Sequence, residues 1–113
     1  MASSIQSRLG ATPNESVKAP VVVASNAALT LSGEQTVNAV AVVTGDRVLV
    51  KDQADATTNG IYVVSTTAWT RAPDWDSSDD VVNGVLVLDT NSRVFYSVQT
   101  ADPYVIGGST VSF

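Results

Sequence analysis

The sequence predicts an all-β fold: a small antiparallel β-sandwich or partly open barrel with an extended N-terminal arm. Three observations predict it. The chain of 113 residues carries 20 Val and 12 Thr, side chains that suit a pleated, half-buried surface. Its apolar segments are short and separated by clusters of Gly, Asn, Asp and Ser, the punctuation of strands joined by turns. No apolar series keeps a helical period over several turns. At this length one domain is expected, large enough to bury about two-thirds of its unfolded surface.

Residues 1–20 differ from the rest and read as an arm; residues 21–113 read as the β domain. Within the arm, Ile5 and Leu9 share one face of a single weak helical turn that Gly10 and Pro13 would end, and Arg8 is its charge. The arm is either a loose terminus or a segment that orders against a partner. Val21–Ala24 is a β-branched run. Leu29–Leu31 ends at the turn signal Ser32-Gly33. Gln35–Val37 and Val40–Val43 are two short apolar segments broken at Asn38. Thr44-Gly45-Asp46 is a turn feeding a strand over Arg47–Lys51. The polar stretch from Asp52 ends in Asn59-Gly60, a strong turn dipeptide. Strands follow at Gly60–Val64 and Trp69–Ala72. Pro73 to Asp80 is an acidic loop, with a helical turn expected at Ser77–Val82. Val85–Leu88 is apolar on both faces and reads as a central strand. Asp89 to Ser92 is a hairpin loop. Arg93–Gln99 alternates, with Val94, Tyr96 and Val98 on one face and Phe95 as the exception. Ser109–Phe113 reads as a last short strand.

Missing residue types exclude whole chemistries. The chain has no Cys and no His, so thiol nucleophiles, disulfides, thiolate or imidazole metal sites and Ser-His-Asp triads are excluded. The net charge is −5, from 11 acidic and 6 basic residues; nucleic-acid binding, which needs clustered positive charge, is not expected. Charged residues make up 15% of the chain, against about 25% in an average soluble domain. Such a surface suits close contact with other protein. The apolar runs are short, as at Val85–Leu88, far below the ~20 residues needed to span a bilayer, and no signal-peptide pattern opens the chain. The expectation is a soluble protein made in a cytoplasm.

The stretch Leu29–Asp76 contains Gly45-Asp-Arg-Val-Leu-Val-Lys-Asp-Gln53, then Asn59-Gly-Ile-Tyr-Val-Val64, then Trp69-Thr-Arg-Ala72 followed by Asp74 and Asp76. This run resembles a module of tail fibres and tailspikes of tailed bacteriophages. The specific match covers about 50 residues, and the Gly84–Val98 hairpin extends it. The resemblance implies a virion structural protein near the particle-proximal end of an appendage, with other tail or baseplate proteins as partners and a homotrimeric assembly. Members of the family usually continue past a final strand like Gly108–Phe113, which implies that this chain is the leading part of a longer fibre.

The residues of the motif have physical readings of their own. Gly45 supplies a positive φ, and Asp46 bonds backbone amides in the same turn. Arg47, Lys51 and Arg71 are expected to pair with Asp46, Asp52, Asp74 or Asp76 as structural ion pairs. Gln53 and Asn59-Gly60 fix the loop between two strands, with Asn59 in the left-handed conformation. Tyr62 and Trp69 are expected in the core, or at a subunit contact. The carboxylates Asp74, Asp76, Asp79 and Asp80 fail the EF-hand pattern: with Asp74 first, Asp79 stands where Gly is needed and Val85 where Glu is needed. No metal, cofactor or catalytic residue is assigned. The two glutamates, Glu15 and Glu34, sit in the arm and beside a turn, and no P-loop, G-x-S-x-G or dinucleotide motif occurs.

The reading is a non-enzymatic structural module that docks a fibre to the phage tail or baseplate through its arm. Two alternatives stand beside it: a free-standing capsid decoration protein, and a carbohydrate-binding receptor module using Trp69, Trp75 and Tyr104 as stacking faces.

Overall fold

The structure is a computed structural model that describes residues 17–76, 81, 84–99, 106 and 112–113. The helical turns expected near Ile5–Leu9 and Ser77–Val82, and most of the last strand, lie outside these residues. The fold is all-β, in several small sheets of which none closes into a barrel. The strands are β1 (Val23–Ala24), β2 (Gln35–Val37), β3 (Val40–Val42), β4 (Arg47–Val50), β5 (Gly60–Val63), β6 (Thr70–Arg71), β7 (Leu86–Asp89) and β8 (Val94–Ser97). Short 3₁₀ turns at Ala56–Thr58 and Pro73–Trp75 replace what the sequence presents as plain loop.

A four-stranded sheet in the order β1-β4-β5-β6 forms the middle layer. The β4–β5 hairpin sets its register, with Val48 opposite Tyr62 and Leu49 opposite Ile61. Val48, Leu49 and Val50 are all buried, because both faces of this sheet are covered. On one face the β2–β3 hairpin closes a core of Val23, Val37, Val42, Val48, Val50, Tyr62, Val64 and Trp69. On the other face Leu49, Ile61 and Trp75 pack with Val85, Val87 and Val98 from the β7–β8 region. Strands buried on two sides read as continuous apolar runs, and that is how β4 reads.

The β2–β3 turn places Asn38 at φ 47° and Ala39 at φ 68°, the mirror-image two-residue turn that matches strand twist. Leu29–Leu31, expected as a strand, forms none: the Leu31 carbonyl accepts from Trp69 N–H, and the Leu29 and Leu31 side chains pack partly buried against the same core.

One pairing departs from the antiparallel pattern. β1 runs parallel to β4, with Val23 opposite Val48. The chain just before it runs parallel to β7, with Val17 opposite Leu86 and Val21 opposite Asp89. Val21 N–H donates to Leu88 O on β7, and Val22 N–H donates to Arg47 O at the start of β4. Residues 17–25 therefore act as a central strand with a neighbour on each side. Lys18 is buried in this segment, so the last four residues of the expected arm, 17–20, are built into the β unit.

Candidate functional site

The motif residues lie along the β4–β5 hairpin and its two ends. Gly45 takes φ 96°. Asp46 Oδ2 accepts from Val43 N–H at 3.0 Å, and Asp46 O accepts from Val64 N–H at 2.9 Å, so the turn closes as its chemistry predicts. Arg47 then reaches sideways. Its two terminal nitrogens grip both oxygens of Asp74 at 2.9 and 3.0 Å. The same guanidinium donates to Ala19 O and Pro20 O. This bidentate fork holds the acidic loop and the entry of the central strand at one point.

At the other end of the hairpin, Gln53 acts like a short strand. Its side-chain Oε1 accepts from Leu29 N–H and its Nε2 donates to Leu29 O. Asn59 is buried and its Oδ1 accepts from Gln53 N–H at 3.2 Å. The left-handed conformation expected of Asn59 is not there: Asn59 has φ −64° and ψ 152°. The positive φ falls on Asp52, at 64°, and on Gly60, at 149°. The reason is that the loop turns through a 3₁₀ turn capped by Asp55, whose Oδ1 accepts from Thr57 N–H, so Asn59 enters β5 already extended.

Gly60 is required by its neighbours. A Cβ there would lie 2.6 Å from Trp75 Nε1 and 2.8 Å from an Arg71 nitrogen. Arg71 donates to Asn59 O and Thr57 O and lies over the Tyr62 ring at 5.2 Å, a use of its charge that spacing alone does not reveal. Lys51 and Asp52 form the expected pair at 2.9 Å, and Lys51 Nζ also sits 5.2 Å from the centroid of the Tyr96 ring.

Tyr62 and Trp69 are core residues, as expected. Each keeps its polar handle bonded, Tyr62 O–H to Thr58 O and Trp69 Nε1–H to Gly33 O. Trp75 is wholly buried and stacks obliquely on Phe113 at 5.7 Å. The stacking faces suggested for Trp69 and Trp75 are therefore not open to a sugar; Tyr104 lies outside the described residues. Asp79, Asp80 and the arm residues Ile5, Arg8 and Leu9 lie outside them as well. Among the described residues no group of acidic side chains is gathered that could hold a metal ion.

Two features were missed by sequence reasoning. Asp89, read as a loop residue, is buried. Its Oδ2 accepts from Ala24 N–H and its Oδ1 from Asn91 and Ser92 N–H, so one carboxylate ties the β7–β8 turn to the central strand. Ser25, also buried, bonds Lys51 both ways through its hydroxyl. An Asp at a strand end followed by Asn and Ser signals the turn, but nothing local signals the long-range bond.

A cleft of about 270 Å³ opens beside the Lys51–Asp52 pair, lined also by Gln53, Ala56, Asn59, Ser112 and Phe113. The Gln53 amide is already bonded to Leu29 on both its oxygen and its nitrogen. The outer face of β7–β8 is apolar: Leu86 and Leu88 are half-buried there beside Phe95, which is 57% exposed.

These features define a small all-β module whose distinctive residues brace a hairpin. Comparisons with protein-family models, curated proteins and solved structures give no match.

Proposed function

We propose that this chain is a non-enzymatic structural module of a tailed-phage appendage, joining a fibre or tailspike to the tail or baseplate. The observation that supports this reading best is the work done by the motif residues. Asp46, Arg47, Gln53, Asn59 and Arg71 all bond to backbone or to each other's loops, which stiffens one hairpin. Asp52, Asp55, Asp74 and Asp89 are engaged in the same way, so these carboxylates serve architecture. A rigid module with few charges and an exposed apolar strip is suited to burial in a larger assembly.

The arm is the proposed anchor. Because residues 17–20 belong to the β unit, the informative truncation removes residues 1–16. The test is immunogold labelling of particles with an antibody against this chain. Gold on the tail or its appendages supports the reading. Gold spread over the capsid supports the decoration alternative, and unlabelled particles overturn both.

A further inference from the structure

We propose that the free edge of β8 is a self-association site, pairing antiparallel with β8 of a second copy of this chain. The inference is independent of the docking role and starts from where backbone groups aim. In an antiparallel ladder, successive residues point their N–H and C=O alternately toward the partner strand and away from it. Lys18 and Val21 donate to the carbonyls of Leu86 and Leu88 on the far side of β7, so those two residues aim away from β8. Their cross-strand partners are Ser97 and Phe95. Ser97 and Phe95 therefore aim their own N–H and C=O off the open side of the sheet.

Gln99 is the next residue in that outward set, and its N–H donates to Ser112 O at 2.8 Å. The edge thus accepts a chain at Gln99, while Phe95 and Ser97 have no hydrogen-bond partner along it among the described residues. The side chains agree. Phe95 and Ser97 share an outer face with Leu86 and Leu88, and Val17, opposite Leu86, extends it. Phe95 is 57% exposed and Val17 50%, and the five side chains carry no charge. Edge strands are usually blunted by Lys, Pro, a bulge or a cover; β8 carries neither Lys nor Pro.

The strand is self-complementary in one register. With Phe95 opposite Ser97 of the second copy, and Ser97 opposite its Phe95, every outward group of both residues is paired. Arg93 then faces no second Arg93. The Arg93 turn, at φ 61°, and Ser112 bound the pairing at its two ends. Only two residues of each copy, Phe95 and Ser97, supply edge hydrogen bonds, fewer than the about ten direct bonds of a standard interface. The dimer is therefore weak in dilute solution and fills when copies are concentrated or held side by side.

The experiment is sedimentation velocity on the whole chain from about 10 μM to about 1 mM, a range that spans weak association. Ser97→Pro and Phe95→Lys are run alongside. Ser97 N–H points outward, so proline removes an edge donor and spares the bonds to β7. We expect the wild type to move from monomer toward dimer, and each variant to shift the midpoint about tenfold or more upward. Hydrogen exchange at the Phe95 and Ser97 amides should slow as the wild type is concentrated. If Ser97→Pro fails to fold, Phe95→Lys and the exchange data still decide. A wild type that stays monomeric, or an association of any order that is unaffected by Phe95→Lys, overturns the proposal.

Discussion

Replacing Gly60 by alanine probes the closest packing around the motif. The added Cβ would meet Trp75 Nε1 at 2.6 Å and Trp75 Cδ1 and an Arg71 nitrogen at 2.8 Å. Arg71 is the far end of a flexible side chain and can yield, but Trp75 is wholly buried and is seated among Leu49, Ile61, Val85 and Val87. Overpacking of this kind costs about 1–3 kcal/mol. The backbone adds its own cost, since φ 149° at Gly60 is a region that L residues enter at about 1–3 kcal/mol. The two together give ~2–6 kcal/mol, against a total stability of about 5–15 kcal/mol for a domain of this size. Gly33 and Gly45 are the controls. Both have positive φ, but a Cβ at either meets nothing within 4 Å, so alanine there carries only the backbone part. Urea unfolding followed by tryptophan fluorescence measures all three. In a Trp75→Leu background, Gly60→Ala should lose much of its steric cost. The packing argument fails if Gly60→Ala costs no more than Gly33→Ala, or if its cost is the same with and without Trp75.

Further predictions follow from the hydrogen bonds. Asp89→Ala leaves the Ala24, Asn91 and Ser92 amides without their acceptor and should cost ~2–4 kcal/mol in urea unfolding. Arg47→Lys keeps the charge but loses the fork on Asp74 and the Ala19 and Pro20 contacts; a loss of ~1–2 kcal/mol is expected in the same assay. The Thr44 N–H and hydroxyl hold the Glu34 carboxyl below its ordinary 4.5, and the Thr57 hydroxyl and N–H hold Asp55 below 3.8. A depressed carboxyl stabilises the fold above its ordinary value and loses that contribution as pH falls below it. Carboxyl carbon shifts in an NMR titration should therefore place both midpoints below those values, and Glu34→Gln should flatten its part of the acid limb. Deleting residues 1–20 removes the Lys18 and Arg47 contacts to that segment and should lower the thermal unfolding midpoint by several degrees.

Much of the middle layer was legible because its signals are local. Gly45-Asp46 names its turn, and Val48-Leu49-Val50 names a strand covered on both faces. Val85–Leu88 reads as central, and β7 does lie between β8 and residues 17–21. What stayed hidden depends on distance along the chain. Parallel pairing leaves no turn signature, so nothing in Val17–Ser25 announces a strand shared by β4 and β7. The expectation that Asn59 takes the positive φ failed because the choice between Asn59, Gly60 and Asp52 is made by the 3₁₀ turn before them. Trp75 stands in an acidic stretch and reads as exposed, yet its ring completes the core; only its neighbour Gly60 hints that something bulky lies close. Arg71 was expected beside a carboxylate and instead bonds carbonyls, because those groups lie on the loop that β6 packs against.

The docking role is open to one decisive reassembly experiment. On the proposed reading, appendage-deficient tailed-phage particles are mixed with the wild-type protein, or with the form lacking residues 1–16, and bound protein on the tails is counted by immunogold. The expected result is saturable labelling of tails by the wild type and loss of that labelling, with the β unit still folded, when residues 1–16 are removed. Equal labelling by both forms would contradict the arm as anchor, and no tail labelling by either would contradict the docking role itself.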